Sequence, residues 1–240
     1  MIDFHCHILP MIDDGSRSID ETIEMLKEAK EAGFDKIITT SHFIEGFYNV
    51  TSSSRDEIIN AIKSKIKSIG IDIELYNGAE AYAEPDLANL FKKGIIPTLA
   101  NSKYILFEFP MNEKIIYDED LIKSLKESGY IPVIAHPERY GYVQENIKIA
   151  SKWYENGALF QCNYGSIIGQ YGEKAKKILK KLLEKNMVDF LGSDCHRCNS
   201  TYLLIDDAIK ELKNIISDDY IEKLTQINPN KVIENNFLNI

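Results

Sequence analysis

Histidines in this sequence stand where a metal ion can be bound. His5 and His7 occupy alternate residues of the opening segment MIDFHCH, and Asp14 follows within DDG. Side chains two residues apart on a strand point to the same face, so His5 and His7 can bind one ion together. The chain has five histidines, and the other three each end a short apolar run: His42, His136 and His196. Imidazole nitrogens are typical ligands of zinc, manganese and iron.

Carboxylates at matching positions extend this set. Glu80 ends the run IDIELYNGAE, Glu108 lies in YILFEFP, and Asp194 precedes the last histidine by two residues in GSDCH. The candidate metal ligands are therefore His5, His7, Asp14, His42, Glu80, Glu108, His136, Asp194 and His196. This is more than one ion needs, so we expect two or three ions bridged by carboxylates. Ions ~3.5–4 Å apart are the usual arrangement for activating water against a phosphate ester.

The elements that must position these residues alternate between short apolar runs and amphipathic segments. Predicted strands cover residues 1–5, 35–42, 71–80, 104–110, 131–139, 158–163 and 188–196. Predicted helices cover 18–33, 54–70, 84–94, 118–129, 146–157, 173–186 and the tail 206–236. Ser18 with Glu21 and Ser54 with Glu57 have the spacing of capping boxes at helix starts.

The alternation of strand and helix predicts a parallel sheet. Its seven strand–helix units favour a closed or nearly closed barrel of the triosephosphate-isomerase type, one strand short. An open doubly wound sheet is the alternative. All five histidines then lie at the carboxyl ends of the strands, the face on which such barrels build their active sites.

The bulk properties disfavour several other classes of protein. A formal net charge of -9 argues against general nucleic-acid binding, because neutralising phosphates needs a basic surface. The sequence contains no stretch of ~18 apolar residues, so no transmembrane helix is predicted. It also shows no signal-peptide pattern. The four cysteines look like free thiols, so we expect a cytoplasmic protein. No linker divides the sequence, and one domain over residues 1–240 is expected.

The ordered motifs HCH, DDG, TSH, NGAE, FEFP, AHPER and GSDCH resemble those of the polymerase-and-histidinol-phosphatase (PHP) family. The resemblance runs over the whole chain. It is strongest to the bacterial protein-tyrosine phosphatases of the CpsB/YwqE type, which are linked to capsule and exopolysaccharide synthesis. The resemblance implies a distorted (β/α)7 TIM-like barrel that holds a trinuclear site. The implied metal is most often manganese, while iron and zinc accept the same ligands.

The resemblance also implies roles for single residues. His5, His7, Glu80 and Asp194 would hold one ion, with Glu80 bridging to a second ion held by Glu108 and His136. A third ion would be held by Asp14, His42 and His196. Arg139 would clamp the phosphate, and Arg197 is a further candidate for that role. Arg139, His136 and Asp194 are accordingly the predicted catalytic residues.

The predicted reaction is hydrolysis of phosphotyrosine by a metal-activated hydroxide that attacks phosphorus in line. The resemblance implies a protein substrate, the tyrosine-rich tail of a bacterial tyrosine kinase. A covalent cysteine mechanism is disfavoured, because no cysteine is followed by an arginine six residues later. Aromatic residues in predicted loops either line a slot for the phosphotyrosine ring or cover the barrel rim: Phe47, Tyr48, Tyr82, Tyr140 and Tyr142.

Other functions compete with this hypothesis. A small-molecule phosphoesterase, such as a histidinol-phosphate phosphatase, would use the same metals. An amidohydrolase also begins with an HxH strand, but it usually carries a lysine at a strand end, where this chain offers Glu80 and Glu108. A nuclease is less favoured in so acidic a chain. A metal-binding sensor or scaffold without turnover would have its coordination positions filled by protein atoms.

Overall fold

Parallel strands followed by helices form the structure, which is a computed structural model describing residues 1–238 and leaving residues 239 and 240 outside the described part. Its strands are Ile2–Cys6 (β1), Lys36–Thr39 (β2), His42–Phe43 (β3), Glu74–Asn77 (β4), Glu80–Tyr82 (β5), Tyr104–Glu108 (β6), Ile131–Ala135 (β7), Leu159–Asn163 (β8) and Phe190–Gly192 (β9). They form a sheet of order β1-β2-β4 and a sheet of order β3-β5-β6-β7-β8-β9. Every pairing within the two sheets is parallel.

Helices cover the outside of this curled sheet. They are Ile19–Glu31 (α1), Ser52–Ser68 (α2), Leu87–Lys92 (α3), Asp118–Glu127 (α4), Gly141–Glu145 (α5), Lys148–Glu155 (α6), Tyr164–Ile167 (α7), Gly172–Glu184 (α8), Ile205–Lys213 (α9), Asp218–Glu222 (α10) and Asn228–Ile233 (α11). Short 3-10 turns cover Leu99–Asn101, Pro137–Arg139 and Thr201–Leu204, and a π turn covers Lys223–Ile227. Among the helices within residues 1–238, none has the length and apolar character that crossing a bilayer requires.

Two predicted strands each break into two pieces. The run 35–42 forms β2 and β3, and the run 71–80 forms β4 and β5. At the breaks, the carbonyl oxygens of Ser41 and Gly78 accept hydrogen bonds from the guanidinium of Arg55 at 2.9 and 3.4 Å. These two carbonyls therefore bond to a side chain where the strand is interrupted. The alternation of apolar residues in the sequence does not reveal these interruptions.

The last strand lies beside the first, which curls the sheet. His7 N donates to Cys195 O at 3.0 Å, and Asp194 N donates to His5 O at 2.7 Å. A Cβ atom on Gly192 would lie 2.6 Å from the Cβ of His5, so only glycine allows this close approach. These contacts bring the ends of β1 and β9 to one place.

The apolar interior lies below a polar layer along the same strands. Tyr104 and Leu106 alternate with outward residues on β6 and precede Glu108 on the same face. The rings of Phe4 and Phe190 stack at a centroid distance of 3.9 Å. The interior cluster consists of Phe4, Ile38, Leu99, Tyr104, Leu106, Val133, Ala135, Leu159, Phe190 and Val232. Apolar residues thus fill the inside of the curled sheet, and polar residues are concentrated at the carboxyl ends of the strands.

Only one of the two predicted helix caps forms. Ser18 Oγ accepts from Glu21 N at 3.1 Å and α1 begins directly after it, which confirms Ser18 as the cap, while the Glu21 carboxylate accepts from Arg17 N at 2.7 Å rather than from Ser18 N. The second prediction was wrong, because α2 begins at Ser52 rather than after Ser54. The hydroxyl of Thr51, the residue before that helix, bonds the Ser54 hydroxyl at 3.3 Å instead of capping a backbone N–H.

Asp189 is a buried carboxylate in this fold that makes stability depend on pH. Its Oδ2 accepts from Phe160 N on β8 at 2.9 Å, and burial raises its pKa to about 7. Between the ordinary carboxyl pKa and about 7, Asp189 is protonated in the folded chain but ionised in the unfolded chain. The free energy of unfolding therefore falls as pH rises through this window.

We therefore expect Asp189→Asn, which cannot ionise but keeps an acceptor oxygen, to gain stability relative to the wild type as pH rises. The free energy of unfolding of the variant minus that of the wild type should increase by roughly 1–3 kcal/mol between pH 5 and pH 8. Urea unfolding at both pH values measures this difference. A difference that does not change with pH would contradict the assignment.

Candidate metal centre

The structure brings all nine predicted donors to one end of the sheet. They lie at strand ends, in the loops that follow, or just beyond the breaks described above: His5, His7, Asp14, His42, Glu80, Glu108, His136, Asp194 and His196. His5, His7, Glu80, His136 and Asp194 are almost entirely buried. His42 and Glu80 begin β3 and β5 and are register partners, which places their side chains together.

Glu80 lies at the centre of this group. Its Oε2 is 3.2 Å from His5 Nε2, 3.3 Å from His7 Nε2 and 3.1 Å from His42 Nδ1. Its Oε1 is 2.8 Å from His136 Nε2. One carboxylate therefore contacts four of the five histidines.

Asp194 forms the second junction and faces two ways. Its Oδ1 lies 3.4 Å from His7 Nε2 and 3.5 Å from His196 Nδ1. Its Oδ2 accepts hydrogen bonds from Arg139 Nη1 at 2.5 Å and from Asn163 Nδ2 at 2.7 Å. One oxygen thus faces the histidines while the other is held by two donors.

Asp14 is the most exposed of the donors. Its Oδ1 lies 3.5 Å from His196 Nε2 and 3.7 Å from His42 Nε2. The side chain is 56% exposed, so this edge of the group opens to solvent. The ring of His196 stacks on that of His7 at a centroid distance of 3.8 Å.

The donor atoms fall into three overlapping groups. These are His5 with His7 and Glu80; His42 with Glu80 and Glu108; and His7 with Asp14, His42 and His196. The predicted division differs in placing His136, rather than His42, with Glu80 and Glu108. His136 Nε2 lies 3.9 Å from Glu108 Oε2, and the division among ions stays a prediction.

The unpaired atoms of the group fit bound cations. Glu80 Oε2, His42 Nδ1 and His136 Nδ1 are buried without a hydrogen-bond partner among the described residues. The first two lie 3.1 Å apart. Buried lone pairs that converge in this way are costly unless a cation binds between them. Nitrogen and carboxylate oxygen are the donors that manganese, iron and zinc accept.

The carboxylates repel each other. Burial, followed by the charges of Glu80 and Asp194, raises the pKa of Glu108 to about 9. Burial alone would raise the pKa of Glu80 as well, but His5 and the other nearby histidines hold it well below its usual range. A divalent cation bound among these carboxylates would relieve the repulsion and favour the ionised form of Glu108.

Two of the candidate ligands have a left-handed backbone. His136 has φ 34° and Asp194 has φ 51°, a region that residues other than glycine seldom adopt. Hydrogen bonds from His136 N to Gln161 O and from Asp194 N to His5 O, both 2.7 Å long, hold these turns. Strained conformations of this kind cluster at functional sites, where surrounding contacts maintain them.

Asp13 contacts two of the candidate ligands, although it is not among the donors that the sequence predicted. Its fully buried Oδ2 bonds His7 Nδ1 at 2.8 Å and accepts from His42 N at 2.8 Å. A proton on Nδ1 leaves Nε2 of the same ring free to bind an ion. Metal-binding histidines usually donate their other ring N–H to a carboxylate in this way. The signal was the segment DDG: Gly15 N donates to Asp13 Oδ1, and a Cβ on Gly15 would lie 2.2 Å from the backbone oxygen of His7.

Gln161 and Asn163 were also missed. Gln161 Oε1 bonds His5 Nδ1 at 2.7 Å, and its amide donates to Asn163 Oδ1 at 2.9 Å. Asn163 in turn donates to Asp194, so one chain of hydrogen bonds joins two candidate ligands. Their signal was the segment ALFQCN, in which polar residues alternate within a buried strand.

The two arginines predicted to bind phosphate have different surroundings. The Arg139 side chain is 25% exposed, pairs with Asp194 and lies over the Tyr171 ring at 4.3 Å. Arg197 donates to the carbonyl oxygens of Gly15 and Asp14, the latter at 2.8 Å. Both guanidiniums are thus engaged by the chain, Arg197 by loop carbonyls and Arg139 by the carboxylate of a candidate metal ligand.

The aromatic residues divide between core and rim. Tyr140 is fully buried, donates to Ala135 O and accepts from Phe109 N, so it belongs to the core. Phe47 is 73% exposed, and the adjoining Tyr48 ring lies parallel to His42 at a centroid distance of 6.1 Å. Tyr82 and Tyr142 are partly buried.

Comparison with known proteins identifies the family. The family model described as capsular polysaccharide synthesis, CpsB/CapC, matches residues 1–234. The chain belongs to this CpsB/CapC family. The predicted resemblance is thereby confirmed.

Curated CpsB/CapC relatives are similar over nearly their whole length. Tyrosine-protein phosphatase YwqE of Bacillus subtilis is 32% identical over 226 residues, which cover 94% of this chain and 89% of the relative. Tyrosine-protein phosphatase CpsB of Streptococcus pneumoniae is 29% identical over 238 residues, which cover 97% and 98%.

Solved structures agree with this assignment to the CpsB/CapC family. A structure from work on YwqE and CpsB, described as metal-dependent tyrosine phosphatases, superposes with a TM-score of 0.93 at 31% identity and covers 99% of this chain and 96% of that one. The histidinol phosphate phosphatase of Lactococcus lactis gives a TM-score of 0.59 at 15% identity, covering 89% and 93%. That second similarity concerns the fold alone.

We expect Asp13→Ala to weaken metal binding, because His7 loses the partner of its Nδ1 and His42 loses the acceptor of its backbone N–H. Affinity for Mn²⁺ should fall roughly 10–100-fold, measured by calorimetric titration of the metal-stripped protein. Asp72→Ala, which removes a carboxylate exposed on the surface, serves as the control and should bind as the wild type does. Unchanged affinity in Asp13→Ala would show that the carboxylate does not support the site.

Proposed function

We propose that this chain is a metal-dependent protein-tyrosine phosphatase that acts in capsular polysaccharide synthesis. The observation that carries the proposal is the convergence of four histidines on the buried carboxylate of Glu80. It occurs in a chain whose CpsB/CapC relatives are tyrosine-protein phosphatases.

The finer features of the proposal follow the family resemblance. The metal is manganese, with two or three ions held by the nine donors. The substrate is a phosphotyrosine protein, the tail of a bacterial tyrosine kinase, and the site of action is the cytoplasm. We also regard β2 with β3, and β4 with β5, as two interrupted strands. This gives a distorted (β/α)7 barrel in one domain over residues 1–240.

Metal ions bound by these donors supply the Lewis acidity that activates water and neutralises phosphate oxygens. The chain's own cation for the phosphate is Arg139, whose partly exposed guanidinium borders the buried donors. Asp194 Oδ2 and the Tyr171 ring hold this guanidinium in place before substrate arrives. Such preorganised charge stabilises the transition state without reorganisation during the reaction.

The leaving group makes a modest demand on the chain. A tyrosine phenol has a pKa near ~10, so its phenolate departs more readily than the alkoxide of a serine or of histidinol. The exposed Phe47 and the neighbouring Tyr48 lie beside His42, where an aromatic ring of the substrate can pack. Both features favour phosphotyrosine over aliphatic phosphate esters.

Phosphate release tests the proposed function. A phosphotyrosine peptide, a phosphoserine peptide and histidinol phosphate would each be given to EDTA-treated protein, with and without added Mn²⁺. We expect Mn²⁺ to restore turnover of the phosphotyrosine peptide alone. Preferred turnover of histidinol phosphate would assign the chain to the small-molecule phosphatases. No turnover by metal-loaded protein would support a sensor or scaffold.

Arg139→Ala tests the role of the guanidinium in this reaction. The kcat/KM for the phosphotyrosine peptide should fall roughly 10²–10³-fold, because the phosphate loses a preorganised cation. Arg17→Ala, which removes an arginine exposed on the surface, is the matched control. The metal content of both variants is measured alongside. Near-normal kcat/KM in Arg139→Ala with full metal content would exclude Arg139 from the reaction.

A further inference from the structure

Arg55 on α2 is a fully buried arginine that the proposed reaction does not use. It is among the largest side chains with no exposed surface. Within residues 1–238, no carboxylate oxygen lies within 4.0 Å of its guanidinium to form an ion pair. A guanidinium without a carboxylate is costly to bury unless its N–H groups are bonded.

Backbone carbonyls take the place of that carboxylate. Arg55 Nη2 donates to His42 O at 2.7 Å, and Nη1 donates to Ser41 O at 2.9 Å and to Gly78 O at 3.4 Å. Nε donates to Val50 O at 3.0 Å. The guanidinium therefore binds both ends of the segment 41–50, which carries His42, Phe47 and Tyr48. Its planar set of N–H groups suits several acceptors in fixed directions, which a lysine ammonium does not match.

The peptide groups of His42 are held on both sides by buried charged residues. Its N–H donates to Asp13 Oδ2 at 2.8 Å, and its carbonyl accepts from Arg55. The ring then faces Glu80 through Nδ1 and Asp14 through Nε2. His42 alone belongs both to the group with Glu80 and Glu108 and to the group with Asp14 and His196. A small displacement of its backbone would disturb both groups.

We propose that Arg55 is a positioning residue of the metal centre, which fixes His42 through its backbone and so holds two of the three donor groups in register. The inference rests on the proposed function, since it concerns the binding of that function's metal ions. Arg55 does not contact substrate or metal in this account. Its effect reaches the centre through the carbonyls of Ser41 and His42.

The test compares metal content in three variants with that of the wild type. Arg55→Lys keeps the positive charge but not the planar fork, and Arg55→Met removes every donor. Leu125→Ala, a fully buried residue of α4 away from the centre, provides a matched loss of core packing. Each protein is loaded with Mn²⁺, freed of excess metal by gel filtration and assayed for manganese per chain. Thermal melting of the metal-free forms shows which variants are folded.

We expect both Arg55 variants to retain at least one ion fewer per chain than the wild type, while Leu125→Ala melts at a lower temperature but retains the full number. The kcat for a phosphotyrosine peptide should fall roughly tenfold or more in the Arg55 variants. In a double-mutant cycle, adding Arg55→Lys to His42→Ala should cause no further loss of metal, because both changes act on the same ligand.

Folded Arg55 variants with wild-type manganese content and kcat would overturn the proposal and leave Arg55 a purely structural residue. Additive metal loss in the cycle would also overturn it, since Arg55 would then act elsewhere than on His42. If Arg55→Met does not fold, Arg55→Lys decides the question. A wild-type protein that retains no manganese would instead refute the proposed function itself, so the two failures are distinguishable.

Discussion

One buried carboxylate oxygen, Glu80 Oε2, sets the constraint that the surrounding structure must satisfy. It lies between 3.1 and 3.3 Å from three imidazole nitrogens and makes no hydrogen bond. Removing such lone pairs from water is costly, and cations bound among these donors would offset that cost. Below this group of donors, the same strands carry an apolar cluster that includes Phe4, Leu106 and Phe190.

The backbone around this oxygen is arranged to keep the donors converged. His136 and Asp194 have left-handed φ angles, and backbone hydrogen bonds from neighbouring strands hold both turns. A further layer of polar side chains fixes the histidine rings from behind, with Asp13 on His7 and Gln161 on His5. The geometry of the centre is therefore set by contacts between strands that are distant in sequence, which is how parallel sheets with helical crossovers position active sites.

The sequence indicated where the candidate donors lie better than it indicated which side chains hold them in place. Side chains at strand ends could be recognised because the apolar runs and helix boundaries mark where each strand stops, and Ser18 marked the start of α1 correctly. The breaks between β2 and β3 and between β4 and β5 were not predicted, because the carbonyls there bond to Arg55, a residue of another element that the strand pattern does not reveal. The segments DDG and ALFQCN mark Asp13 and Gln161 as unusual but do not name their partners, and the sequence around Arg55 gives no signal, because all three act through hydrogen bonds to other parts of the chain.

Diffraction from crystals grown with Mn²⁺, recorded at the manganese absorption edge, tests the central claim most directly, because anomalous scattering locates each ion. The account predicts two or three manganese peaks ~3.5–4 Å apart, with Glu80 shared between ions. A structure with no manganese among these side chains, or with one ion whose coordination is filled by protein atoms, would contradict it.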